Sequence, residues 1–380
     1  MPPDATAAGL PFVIARAEGA VVEAADGRRF IDLVSGFGSV FLGHREPHVL
    51  AALESQLSEV WSCGRLPTVA EQRVRGAIGA ILPPALRFAG LYSTGMEAAE
   101  YAMRLAATHT GRQRFLGFAR GMHGKSAMTG AMCWTNAPLR PSNASILPCL
   151  PEADEAQMLE AAELELRRGN VAAVFVEPIH ASDGGMEPGA GFFRELAARC
   201  RNHGTLLVFD EILTGLWRTG ARFYFEHLEL IPDVLLFAKS MGNGFPASAV
   251  AVTREVETGA AALPGSTFSG NPLACAAVAA TLEAMQTLRI QELVPPIGDV
   301  VRRTVASRPG VFALRGRGAL WLLELDATCN PARVAEGLLR RGVLASVVGH
   351  HVRLLPAATI DPGMLEEACV RVVEACKESR

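Results

Sequence analysis

Apolar residues recur with helical spacing in four stretches of the chain, HVLAALESQLSEV, MEAAEYAMRLAATHTG, DEAQMLEAAELELRRG and GFFRELAARCRNHG, and each predicts an amphipathic helix. Between and after them lie shorter runs that are apolar almost throughout: RFLGFA, VAAVFVEP, TLLVFDEI and DVLLFAK. Such runs predict strands buried on both faces. Their alternation with helices predicts an α/β fold around a mostly parallel sheet covered on both sides. The first fifty residues carry short strand-like pieces around the turn AADGR. From about residue 286 an α+β segment follows, with a strand in ALWLLELDA and a closing helix that has Asp361 as its cap and Pro362 at its first position. The expected organisation is a large domain over 51–285 and a small one over 286–380, which the N-terminal segment 1–50 joins.

Composition narrows the function. With 380 residues, 49% of them hydrophobic, the chain can bury a sizeable core. A formal net charge of −3 and the lack of any Lys/Arg block argue against nucleic acid as a partner. The start, MPPDATAAGLPFVIARAEG, lacks the charged-then-apolar form of a leader, and no run approaches the roughly 18 apolar residues of a membrane span. Eight cysteines scattered without a CxxC pair fit neither a disulfide framework nor a zinc site. Cys369 and Cys376 fall on the apolar face of LEEACVRVVEAC as core thiols. A cytoplasmic protein without a metal is expected.

One residue type stands apart. Of 36 Lys and Arg residues only Lys125, Lys239 and Lys377 are lysine. Lys239 ends the apolar run of LLFAKSMGNG, where desolvation lowers an amine's pKa and makes it nucleophilic. A guanidinium cannot condense with a carbonyl, so the amine has a chemical reason to be there.

Two stretches offer themselves as phosphate sites. ARGMHGKS, residues 119–126, approaches the nucleotide loop G-x-x-x-x-G-K-[ST], with LLVFDE downstream as its acidic strand end. It begins on Ala119 instead of glycine, and AMTGAMCWTNAP is too broken for the long helix such a loop opens, so Lys125 reads as a solvated loop charge. In LYSTGMEAAE, a strand runs through Ser93, Thr94 and Gly95 into a helix beginning near Met96, whose free N–H groups suit an anion. Asp210 ends the strand TLLVFD; Glu211 points to the opposite face, whereas Ile212 shares the face of Asp210. A carboxylate there stabilises a contacting cation by roughly 4 kcal/mol at an effective dielectric of 20. Anion cradle, carboxylate and strand-end lysine are the three parts that pyridoxal phosphate requires of a protein.

The motifs STGMEAAE, MHG, VFVEPI, FDEILTG, PDVLLFAKSMGNGFP and STFSGNPLACAA, in this order, resemble the class III pyridoxal-phosphate aminotransferases, a family that includes glutamate-1-semialdehyde aminomutase. The resemblance runs from DGRRFIDLVSGFGSVFLGH to VRLLPAATI and implies the type I fold of pyridoxal-phosphate transferases. It implies that Lys239 is the Schiff-base lysine and proton shuttle, and that Asp210 faces the pyridinium nitrogen. Gly95 and Met96, with Thr94, would hold the phosphate, helped by Thr267 of a second subunit. Ile212 would lie beneath the ring, Met122 above it and His123 beside it, with Glu177 in the polar network around Asp210. Arg353 would bind a substrate carboxylate, and the active site would form between the subunits of a homodimer.

Three positions depart from the family pattern. Met122 stands where an aromatic residue usually covers the cofactor. Leu213 stands where aminotransferases usually have a glutamine that bonds the cofactor hydroxyl; aminomutases also carry an apolar residue there. HASDGG after VEPI leaves Ser182 or Asp183 where some members have a glutamate that masks the arginine. The expected activity is transamination in two half-reactions between an amino acid donor and an oxo acid or aldehyde acceptor. An aminomutase is the alternative, followed by a decarboxylase, a nucleotide hydrolase and a non-catalytic binding protein.

Overall fold

The computed structural model describes residues 12–64, 66–260, 263 and 265–380. The first eleven residues, part of the stretch read for a leader, lie outside the described ones. The N-terminal strands are β1 (Ile14–Glu18), β2 (Val21–Ala24) and β3 (Arg29–Asp32). The central strands are β4 (Leu86–Tyr92), β5 (Arg114–Phe118), β6 (Ala144–Leu147), β7 (Val171–Val176), β8 (Leu206–Asp210), β9 (Val234–Phe237) and β10 (Ser248–Thr253). The C-terminal ones are β11 (Val311–Arg317), β12 (Leu320–Leu325), β13 (Val343–Leu344), β14 (Ser346–Val348) and β15 (His351–Leu354).

The central strands form one seven-stranded sheet in the order β4-β10-β9-β8-β7-β5-β6. Strand β10 alone runs antiparallel to its neighbours. Strands β7, β8 and β9 are buried at every residue, because helices cover both faces and neither needs polar side chains. All four predicted helices form, as Pro47–Leu57, Gly95–Thr110, Glu155–Leu166 and Ala190–Asn202. The closing helix Pro362–Glu378 starts as read: the Asp361 side chain accepts from Met364 N.

Two smaller sheets complete the chain, β11-β12-β15-β14 and β1-β2-β3-β13. The second joins the two ends of the sequence, since β13 pairs in parallel with β3 through Val343 opposite Ile31. Cys369 and Cys376 are fully buried, and every cysteine is a free thiol. Among the described residues no single helix is long and apolar enough to cross a membrane.

Candidate active site

A cavity of about 370 Å³ opens at the C-terminal ends of the parallel strands, where an open α/β sheet presents its ligand site. Its wall includes Thr94, Gly95, Met96, Met122, His123, Ile212 and Lys239, and thereby gathers motifs separated by up to 145 positions along the chain. Gly244–Pro246, the end of the motif PDVLLFAKSMGNGFP, contribute as well, together with Ser39 and Ala247.

One side of the cavity is the start of the helix Gly95–Thr110. Thr94 caps it: its hydroxyl accepts from Glu97 N at 3.2 Å, and Glu97 Oε2 in return accepts from Ser93 N and Thr94 N at 2.9 and 3.1 Å. This box satisfies the N–H groups before the helix and leaves those of Gly95 and Met96 without an acceptor among the described residues. Two unpaired donors at the positive end of a sixteen-residue helix form an anion cradle. Glycine at 95 leaves room for Ile212, since a Cβ there would meet Ile212 Cδ1 at 2.7 Å.

Asp210, the last residue of β8, lies one layer behind this wall and is buried. Its Oδ2 is 2.7 Å from His123 Nδ1, and its Oδ1 accepts from Ile212 N at 3.0 Å. The strand ends at Asp210, so Ile212 does not share a strand face with it as expected. Ile212 lies in the following turn, tied back by its N–H, and projects towards Gly95. Burial disfavours charge on His123, yet Cys133 and the Asp210 carboxylate hold its pKa well above the ordinary imidazole value. Glu177 is also buried and accepts from Met122 N at 2.9 Å. Burial first, then the Asp210 carboxylate, pushes Glu177 up to about 8.

Lys239 lies two residues past the end of β9 and opens a single 3-10 turn. Its backbone is left-handed, with φ 39°, a strain that surrounding contacts must over-determine. Its amine makes no hydrogen bond or salt bridge among the described residues. Desolvation, then Arg353, pulls its pKa down to about 8, against the opposing pull of Glu177 and Asp210. At neutral pH a useful fraction of the amine is therefore unprotonated, as a nucleophile or proton carrier requires.

Beside Lys239 the chain turns left-handed for four successive residues: Ser35 (φ 46°), Gly36 (59°), Phe37 (55°) and Gly38 (86°). The two non-glycine residues cost about 1–2 kcal/mol each in this conformation. Asp32 anchors the entry, its Oδ1 accepting from Val34 N and Ser35 N at 2.8 and 2.9 Å. Arg353, buried on β15, lies against this turn with its guanidinium 5.8 Å from the Phe37 ring, and donates to Ala181 O at 3.1 Å.

Two residues from the sequence reading fall elsewhere. Leu213 is not part of the cavity wall; it is buried and packs towards Gly38, where a Cβ would meet its Cδ1 at 2.6 Å. Thr267 is exposed and also outside the wall that this chain forms by itself. Sequence reasoning passed over Ser39, Phe37 and Arg218. SGFG could have flagged Phe37, since a residue between two glycines is a candidate for unusual backbone; the arginine in LWRTG carries no comparable signal.

The cradle, the carboxylate behind it and the unbonded amine fit pyridoxal phosphate, so the fold and site define a pyridoxal-phosphate enzyme of the α/β type. The chain belongs to the class III aminotransferases, whose family pattern matches residues 4–376, and it is a pyridoxal-phosphate-dependent transaminase. It is 32% identical over 378 residues to acetylornithine aminotransferase of Methanopyrus kandleri, covering 97% of this chain and 95% of that one. It is 30% identical over 367 residues to the [LysW]-aminoadipate semialdehyde/glutamate semialdehyde transaminase of Sulfolobus acidocaldarius, covering 94% and 92%. Among solved structures, the ornithine aminotransferase of Toxoplasma gondii superposes with a TM-score of 0.86 at 28% identity, covering 98% of this chain and 92% of that one. The aminomutase alternative raised by Leu213 is not favoured, since these relatives are transaminases.

Proposed function

We propose that Lys239 and Asp210 are the catalytic residues of a transaminase that moves an amino group between an amino acid donor and an oxo acid or aldehyde acceptor. The observation that carries this is the meeting, in one cavity, of an amine free of hydrogen bonds with the unpaired N–H groups of Gly95 and Met96. When bound, pyridoxal phosphate supplies an electron sink for the substrate carbon that loses its proton. Gly95 and Met96 hold the phosphate through their N–H groups, with Thr94 shaping the helix start. Asp210, oriented by His123, stabilises positive charge on the ring nitrogen. Ile212 and Met122, both on the cavity wall, would confine the ring, and Glu177 would complete the polar network around Asp210. Lys239 would hold the proton that the substrate carbon loses.

Arg353 binds a substrate carboxylate, which fits relatives named for acetylornithine and for the semialdehydes of aminoadipate and glutamate. Thr267, exposed in this chain, reaches the phosphate of a second subunit, making the enzyme a homodimer with two shared sites. Leu213 shapes the site from the second layer. We read residues 51–285 as the cofactor-binding domain and 286–380 as the small domain, with the segment up to residue 50 attached to it, in line with the β3–β13 pairing. Eight free thiols fit a cytoplasmic enzyme.

Absorption spectra of the loaded enzyme, before and after L-glutamate or L-alanine, test the reading. Conversion of the visible band by one donor supports it. Product formed from a single compound without any acceptor would point to the mutase instead.

A further inference from the structure

Arg218 is fully buried and heads the completely buried side chains by volume, yet among the described residues no carboxylate pairs with it. Glu211, buried on the same loop, spends its oxygens on Tyr224 N, Phe225 N and the Thr214 hydroxyl. The Arg218 guanidinium instead collects backbone carbonyls from three distant segments: Gly38 O at 2.9 Å, Ala319 O at 3.2 Å and Pro356 O at 3.0 Å. It lies 4.0 Å from the centroid of the Phe41 ring, and its Nε has no partner among the described residues. A cation buried among three carbonyl dipoles and one aromatic face, without a counter-charge among the described residues, keeps a desolvation cost that its contacts only partly offset.

The carbonyl of Gly38 closes the left-handed turn at Ser35–Gly38 and also accepts from Ser240 Oγ at 3.3 Å. Ser240 is the residue next to Lys239, inside the same 3-10 turn. One oxygen thus joins the buried guanidinium, the strained turn and the strained lysine.

We propose that Arg218 is a positioning residue for Lys239: by fixing the Gly38 carbonyl that Ser240 also reaches, it locks the left-handed turn at Ser35–Gly38 against the turn carrying the lysine. The inference rests on Lys239 being the reactive amine. It has a second, electrostatic arm. The groups whose charge acts on the Lys239 amine are Arg353 and Arg218, which disfavour its protonation, and Asp210 together with Glu177 when ionised, which favour it. Burial pushes Arg218 down to about 9, still above neutral pH, so the guanidinium remains a cation while the enzyme works.

The three lysines of the chain make a direct test possible. The full-length protein, freed of cofactor, is pulsed with acetic anhydride over a range of pH, and labelling at each lysine is read by mass spectrometry, with Lys125 and Lys377 as internal references. Arg218→Met removes both fork and charge, and the Lys239 midpoint is expected to rise against the references. Arg218→Lys keeps a charge but loses the three-way fork. Its midpoint is expected to stay put while kcat falls at least about fivefold and KM changes less than about twofold, the pattern of a lost transition-state interaction. Equal midpoint shifts in both variants would mean generic loosening and overturn the proposal, as would two variants with unaltered midpoint and kcat. Should Arg218→Met fail to fold, Ser240→Ala substitutes for it. Loss of kcat at unchanged Tm is expected there, and unchanged kcat in both Ser240→Ala and Arg218→Lys overturns the proposal. Lys239→Arg is measured alongside; turnover in that variant would remove the premise and leave the labelling result to stand alone.

Discussion

Asp210 Oδ2 and His123 Nδ1 lie 2.7 Å apart in a part of the protein closed to solvent, each side chain at most 2% exposed. The pair joins the end of β8 to the loop after β5, so the carboxylate cannot turn away from the cavity without breaking a buried hydrogen bond. Asp210→Asn keeps the shape and removes the charge. At an effective dielectric of 20 a contacting ion pair amounts to roughly 4 kcal/mol, so kcat should fall on the order of 10³-fold. Steady-state kinetics on the cofactor-saturated variant checks this; a loss smaller than tenfold would remove Asp210 from the catalytic set.

The contact between Gly95 and Ile212 gives a paired test. Gly95→Ala places a methyl 2.7 Å from Ile212 Cδ1, so either that side chain or the cradle must shift, and cofactor affinity should drop at least about tenfold. Ile212→Val removes that Cδ1 atom, and the double variant should recover part of the loss. Spectroscopic titration with pyridoxal phosphate measures both, and additive losses in the double variant would show that the contact is not the cause.

Stability of the cofactor-free chain should depend on pH in two opposite senses. Burial raises Glu211 from 4.5 to about 8 and Glu177 likewise, so between these values the folded chain retains protons that the unfolded chain has released. Their contribution is complete below about pH 4.5 and is lost as pH rises through about 8. Lys239 is lowered from 10.5 to about 8, so the unfolded chain binds the extra proton there, and stability recovers as pH rises across that interval. Thermal unfolding should therefore show Tm falling from pH 5 to 8. Glu211→Gln should flatten this fall; an unchanged slope would contradict the assignment.

Shared sites predict complementation. Lys239→Ala and Thr267→Ala subunits are each expected to be impaired alone. In a mixed dimer one site takes Lys239 and Thr267 from unaltered positions, while the other collects both defects. Activity should reappear on mixing and subunit exchange, and its absence in a verified hybrid would place Thr267 outside the partner's site.

The order of elements was readable because β7 and β9 are apolar at every position, β8 at every position but its last, and the helices between them are periodic. Lys239, Asp210 and the Gly95–Met96 turn were readable because each sits where such a strand ends or such a helix begins. Position beyond the strand end was not: Ile212 needed the backbone turn after Asp210, and Leu213, adjacent to it, turns to Gly38 instead. Arg218 was opaque for a different reason. Its three acceptors are main-chain oxygens, as far as 180 residues away, and carbonyls leave no trace in side-chain identity.

The parallel pairing of Val343 with Ile31 has a consequence for biosynthesis. The edge of β3 receives its partner only after some three hundred further residues have been made, roughly 15–60 s at ordinary elongation rates. Throughout that interval a row of unpaired backbone groups near the amino terminus is exposed to other nascent chains. Ribosomes stalled before residue 343 should therefore be the point at which this enzyme depends most on chaperones.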